Sequence, residues 1–153
     1  GRALDTSPLW KRNGRCAPTR STFSAPTEAA VPAPRKIRLD EKFAQIREHW
    51  RPKVVGELNG QEMKAVKFRG EFVWHHHDDA DELFLGVRGT FRVEFKDHVA
   101  QVGPGEMIVV PRGVEHRTAA DDEVEVLIFE PAAVRNTGNV EHATLTAPNG
   151  VRL

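Results

Sequence analysis

From Lys53 to Glu130 the apolar residues come in short runs separated by turn residues. Val54 to Leu58 and Met63 to Phe68 flank Asn59-Gly60, a pair that favours the tight turn of a β-hairpin. Phe72, Val73 and Trp74 favour extended backbone, so a strand is expected over residues 71 to 77. After the acidic loop Asp78-Asp79-Ala80-Asp81, Glu82 to Arg88 reads as the next strand, with Leu83, Phe84, Leu85 and Val87 in it. Gly89 turns the chain into Thr90 to Lys96, where Phe91, Val93 and Phe95 alternate with polar positions. Val99 to Val102 and Met107 to Val110 follow, divided by Gly103-Pro104-Gly105. Glu115 to Thr118 and Val124 to Glu130 close the series before Pro131. Short strands at close spacing between turn signals predict an all-β sandwich or barrel.

Upstream, one short helix is predicted. Asp40 is placed to cap it, Glu41 suits the helix dipole, and Leu39, Phe43, Ile46 and Trp50 fall on one face until Pro52 stops it. That face is expected to pack on the outside or the open end of the barrel. Residues 1–36, rich in Ser, Thr, Pro, Ala and Arg, show no periodic apolar pattern and read as an extended or flexible N-terminal arm. Trp10 and Phe23 would anchor that arm if it crossed a neighbouring subunit. Residues 37–153 are read as one domain, with the barrel core at about 53–130 and a tail at 131–153. In the tail, Asn136-Thr137-Gly138-Asn139 is turn chemistry that alternatively lines the barrel mouth. Val140 to Leu145 is a candidate edge strand.

Composition changes this picture little. The 153 residues suffice for one domain with a core, and Lys plus Arg equals Asp plus Glu at 22 each. The charge is uneven: residues 1–36 hold seven basic and two acidic groups, residues 37–153 fifteen and twenty. A mildly acidic barrel argues against nucleic acid as a partner. Cys16 is the lone cysteine, which rules out an intrachain disulfide. No apolar run reaches membrane-spanning length and no secretory apolar core is present at the N-terminus. A cytoplasmic protein without a membrane partner is therefore expected.

The candidate chemistry lies between Gly70 and His116. Side chains alternate along a strand, so His75 and His77 point to one side and His76 to the other. Glu82, where the following strand begins, offers a carboxylate near that pair. Pro111-Arg112-Gly113 makes a turn that delivers His116 to the start of another extended piece. Three imidazoles and one carboxylate suit a divalent transition metal such as iron, manganese, zinc or nickel. His98 sits in a turn beside Asp97 and is expected in solvent, and His142 is not expected to approach the site. Arg69, Glu71, Arg92 and Arg112 are expected to point outward. No Ser/His/Asp set, P-loop or G-x-G-x-x-G is present, and tyrosine is absent, which removes one common general acid/base.

The spacing His75-x-His77-(x4)-Glu82-(x6)-Gly89 resembles the first motif of the cupin superfamily, and Gly105-(x5)-Pro111-x-Gly113-(x2)-His116 resembles the second. Fifteen residues separate Gly89 from Gly105, as in small prokaryotic cupins. Two positions depart from the pattern. Four residues rather than five lie between Gly70 and His75, and Ala120 stands where asparagine is common. Neither is a ligand position. The resemblance implies a single-domain jelly-roll barrel in which His75, His77, Glu82 and His116 bind one metal ion. It also implies a small-molecule ligand in the barrel and a homodimer. Asn136-Thr137-Gly138-Asn139 resembles a segment that follows the last strand in some small bacterial cupins. The expected function is a metal-dependent oxygenase or isomerase acting on a small polar molecule. The alternative is a cupin that binds or senses a small molecule or a metal without turnover. A transcription regulator would need a helix-turn-helix, which one helix cannot supply.

Overall fold

A computed structural model describes residues 33–153; the expected arm at 1–36 lies almost wholly outside them. The described chain runs through α1 (Leu39–Phe43), β1 (Lys53–Leu58), β2 (Gln61–Glu71), β3 (Glu82–Arg88), β4 (Phe91–Phe95), β5 (Val99–Val102), β6 (Met107–Val110) and β7 (His116–Pro131). All strand pairs are antiparallel. The order is β1-β2-β7-β3-β6, with β4 joining β7 and carrying β5. Among the described residues no helix is long and apolar enough to cross a membrane.

The long strand β7 organises the barrel. Its first part pairs with β4, from Phe95↔His116 to Arg92↔Ala119, and its second part pairs with β3, from Arg88↔Glu125 to Leu83↔Phe129. β2 lies along its other edge, with a register shift between Phe68 and Gly70. Gly70 has φ of +81°, a conformation glycine adopts without a Cβ clash, and it lets β2 bend with its partner. Two separate strands were expected where β7 runs unbroken. The polar run Asp121-Asp122-Glu123 separates the two expected strands, but it forms an exposed corner where β7 passes from pairing with β4 to pairing with β3.

Alternation divides the apolar side chains between two clusters. Val66 and Phe68 of β2, Phe84 of β3, Phe91 and Val93 of β4, and Val124 and Val126 of β7 fill the interior. Ala65 and Leu127 face outward and are covered by Phe43 and Ile46, so the α1 region packs on the outside of the barrel as expected. The helix itself is shorter than the pattern suggests. Arg38, not Asp40, is its N-cap and makes no capping side-chain bond, and the chain leaves helical geometry after Phe43. Trp50 has φ of +62° and donates its N–H to the Lys67 carbonyl at 2.9 Å. Its ring does not continue the α1 face. It turns into the interior and stacks on Phe68.

The hairpin at Asn59-Gly60 forms as read, with φ of +51° and +80° at the two turn residues. The tail departs from expectation, since residues 140–145 form no edge strand and residues 143–145 turn. Thr137 Oγ1 donates to the Val140 carbonyl at 2.7 Å, and the His142 N–H donates to Thr146 Oγ1 at 2.8 Å. These side-chain bonds fold the segment on itself instead of leaving its backbone to a ladder.

Candidate metal centre

The segment carrying the histidines is extended but is not a ladder strand. β2 ends at Glu71, and beyond it the chain meets its neighbour only at intervals. The Phe72 N–H donates to the Thr118 carbonyl at 2.9 Å. His75 and His116 exchange two backbone bonds of 3.0 and 2.9 Å, and the Gly113 N–H donates to the His77 carbonyl at 2.8 Å. The steps between contacts do not match on the two sides, which breaks regular pairing. Alternation nevertheless holds. His75 and His77 are buried, while His76 is half-buried and pairs with Asp78 at 3.1 Å.

Glu82 opens β3 and His116 opens β7, and both side chains enter the same interior end, 3% and 0% exposed. His77 Nε2 lies 3.2 Å from Glu82 Oε2, and His116 Nε2 lies 3.4 Å from the same oxygen. Donor atoms of His75, His77 and Glu82 all fall within 4.8 Å of one another. The structure thus brings together all four residues singled out in the sequence.

The outer ring nitrogens fix the tautomers. His75 Nδ1 lies 3.0 Å from the Val73 carbonyl, and His116 Nδ1 lies 2.9 Å from the Val114 carbonyl. A carbonyl oxygen can only accept, so Nδ1 carries the proton in each neutral ring. Each Nε2 then presents a bare lone pair. His116 Nε2, His77 Nε2 and Glu82 Oε2 are buried and make no hydrogen bond. Lone pairs facing a carboxylate repel unless a proton or a metal cation lies among them, and buried polar atoms without partners are costly. The donor set therefore fits a cation. Backbone carbonyls that orient metal-binding imidazoles are the usual outer support of such sites.

Without an ion, a proton between imidazole and Glu82 takes its place, and the titration shifts reflect that. Burial, with the neighbouring His116 ring adding to it, lowers the His75 pKa to about 4, so this ring is neutral. Burial alone would raise Glu82, but the His116 and His77 rings more than offset it and hold the carboxyl well below its ordinary range. Burial also opposes charge on His77, and Glu82 reverses that effect, so its pKa is raised.

Three charged residues beside the centre were not singled out in the sequence. Glu62 and Lys64 of β2 and Glu130 of β7 are each at most 5% exposed. Glu62 pairs directly with Glu130 across the sheet, and Lys64 Nζ reaches Glu130 at 2.8 Å and Glu62 at 3.1 Å. Burial, then the nearby Glu82 charge, raises the Glu130 carboxyl to about 7. The signal that could have found them is the E-x-K spacing on β2. It puts both charges on the face that carries Val66 and Phe68 further along.

The N-T-G-N segment lies against the site. The Asn139 N–H donates to the His76 carbonyl and the His76 N–H donates to Asn139 Oδ1, each at 3.0 Å. Residues 136–139 form turns, as the turn reading expects, and Asn139 also brings the segment against His76. His142 instead accepts N–H bonds from Thr144 and Leu145 within the tail. Arg69, Glu71 and Arg112 are exposed, as is His98, and Arg92 is held by Asp121 and Glu94 at the surface.

A cavity adjoins the centre. It is small, about 30 Å³, and is lined by His75 and Glu82 on one side and by Trp50, Phe68, Phe72 and Phe84 on others.

Comparison with known proteins agrees with this fold. The cupin domain model matches residues 65–130. A cupin-2 domain containing protein from Shewanella frigidimarina is 43% identical, with a TM-score of 0.61, over 62% of this chain and 93% of that one. The chain belongs to the cupin superfamily. A second solved relative, protein NMB1881 from Neisseria meningitidis, is 30% identical with a TM-score of 0.59, over 64% of this chain and all of that one. The uncharacterized protein YdbB of Bacillus subtilis is 37% identical over 65 residues, which is 42% of this chain and 58% of that relative's length. The jelly-roll expectation is thus met. The two departures from the cupin pattern leave the four donor positions intact, and Ala120 sits opposite Gly70 in the β2–β7 ladder.

Proposed function

We propose that this cupin holds one divalent transition metal ion through His75, His77, Glu82 and His116 and acts on a small molecule at that ion. The observation that carries the reading is the set of buried, unpartnered donor atoms facing one another across 3.2 to 3.4 Å. Iron, manganese, zinc and nickel all accept such a set. An ion with open coordination positions would supply Lewis-acid or oxygen-activating chemistry.

Between the two reaction classes, oxygenase chemistry has more support. Isomerisation needs a group that takes and returns a proton. Among the described residues, His75 and Glu82 are the titratable side chains lining the cavity. The same sparse lining favours, as the second reading, a cupin that binds or senses its ligand without turnover. The chain is further read as a homodimer. Its support is the edge strand β6, where Met107 and Val109 are 67% and 52% exposed. The lone Cys16 accords with the cytoplasm as compartment.

Elemental analysis of protein purified without chelator tests the site. One equivalent of metal supports it, and protein without stoichiometric metal that also fails to take up added iron or zinc overturns it. Iron together with oxygen uptake on small carbonyl or phenolic compounds supports the oxygenase. Metal without uptake moves the reading to the binding module.

A further inference from the structure

The cavity beside the metal ligands is small, and most of its wall is hydrocarbon. Its volume is about 30 Å³. A single water needs roughly 10–15 Å³, and pockets for organic ligands run to roughly 300–1,000 Å³. The space therefore suits a molecule of about two heavy atoms and excludes a larger one. Trp50 closes one side and offers no free face, since its ring is stacked on both Phe68 at 4.6 Å and Phe72 at 4.8 Å. Val66, Phe84 and Ile128 complete the apolar lining.

The polar groups at the edge of this space are largely committed. The Asn136 side-chain amide donates to the Leu145 carbonyl, and its oxygen accepts from the Ala147 N–H. His75 turns Nδ1 to the Val73 carbonyl, which leaves Nε2, like the Glu82 carboxylate, to the ion. Among the lining side chains that leaves the Thr118 hydroxyl and the Trp50 indole N–H, short of the about three partners that hold a buried water. No lysine or arginine is among the described lining residues, so an anion away from the ion would be buried without a partner. An uncharged apolar molecule meets neither obstacle, and it gains by leaving water for a hydrocarbon wall.

We propose that this cavity holds dioxygen, an uncharged apolar diatomic, against His75 and Glu82. The inference rests on the metal-holding oxygenase reading above and names where the gas is kept beside the ion. Two ion ligands and the hydrocarbon wall enclose the same small space. The gas therefore concentrates next to the ion, and water and anions are kept from that spot.

Dioxygen is paramagnetic, so it hastens the relaxation of nuclei it approaches and serves as its own probe. Methyl relaxation is measured in the zinc-loaded chain, where no redox step intervenes, under oxygen and under nitrogen. Val66 and Ile128 line the cavity, whereas Val93 and Val126 are buried in the same core outside its lining. Oxygen is expected to hasten relaxation at Val66 and Ile128 severalfold more than at Val93 and Val126. Equal enhancement at all four overturns the inference, because the cavity then gathers no more gas than the packed core. Val66→Ile puts one more methyl group into the space. It is expected to bring Ile128 down to the level of Val126 with zinc content unchanged, and an enhancement at Ile128 that survives the filling also overturns the inference. Should Val66→Ile fail to fold, the comparison of the four methyl-bearing residues in the parent decides. Equal enhancement at all four in a chain that holds iron and consumes oxygen sinks this inference alone. Selective enhancement at Val66 and Ile128 in a chain that takes up no metal sinks the metal reading alone.

Discussion

Gly138 lies against the carbonyl oxygen of His76 so closely that a Cβ added to it would overlap that oxygen and stand 3.2 Å from Cδ2 of the His75 ring. The N-T-G-N segment thus backs the metal-facing histidines from the side opposite His116. The fit needs a residue without a side chain, here with φ of +51°. Gly138→Ala is expected to push the loop from His76 and loosen both histidines, lowering metal affinity by on the order of tenfold and stability by roughly 1–3 kcal/mol. Gly150→Ala is the control. It has φ of +68° and nothing within 4 Å of an added Cβ, so only the backbone cost applies and metal affinity stays unchanged. Equal metal affinity in the two variants, measured by chelator competition, would remove the loop from the site.

The roles of His76, His77 and His116 separate cleanly. His77→Ala and His116→Ala each remove a buried nitrogen that faces Glu82, and each is expected to abolish stoichiometric metal and lower the melting temperature. His76→Ala removes a ring paired with Asp78 at the surface and should leave metal content as it was. Metal analysis of the three purified variants checks this. Retained metal in His77→Ala would contradict the assignment of the site.

The hairpin turn, strands β3 to β6 and the four donor residues were legible because each carries a local signal: Asn59-Gly60, alternating apolar residues, and motif spacing. Trp50 was not. Its place in a helical apolar pattern pointed to the outer face, and only the left-handed turn at Trp50 and the stack on Phe68 send it inward. The long β7 was split in reading because Asp121-Asp122-Glu123 looks like a loop. A strand that bends through solvent tolerates such residues on its exposed corner. Glu62, Lys64 and Glu130 escaped notice because charges in a strand normally face water. Here α1 covers the outer face of β2, and the alternate positions must point inward. Tertiary packing, not local propensity, decided all three cases.

Glu130 gives the metal-free protein a pH dependence of definite sign. Its folded-state pKa is about 7 against an ordinary 4.5, so between these values the folded chain binds a proton that the unfolded chain has released. Stability therefore falls as pH rises through that window and stays reduced above it, by at most on the order of 3 kcal/mol. Glu130→Gln keeps an acceptor for Lys64 and cannot ionise. Its melting temperature is expected to gain on the parent's as pH goes from about 5 to about 8. Added zinc should narrow that gap, because a cation beside Glu82 offsets the repulsion that disfavours the Glu130 charge. A parent that gains on the variant with rising pH would refute the assignment.

Among the described residues strand β6 pairs with β3 and leaves its other edge free, and its outward side chains Met107 and Val109 stand opposite Leu85 and Leu83. The result is an apolar strip at the end of the sheet that α1 does not reach, since its cover falls on Ala65 and Leu127. Free strand edges carrying exposed apolar residues favour pairing with another chain. Self-association through β6 would bury Met107 and Val109 and satisfy the free edge at once. Val109→Lys places a charge in the middle of that strip without touching the interior, where Val110 and Ile108 point or pack. The parent is expected to sediment as a dimer at micromolar concentration and the variant as a single chain, with metal content and melting behaviour per chain otherwise preserved. A parent that sediments as one chain removes the dimer, and a variant that remains dimeric moves the interface away from β6.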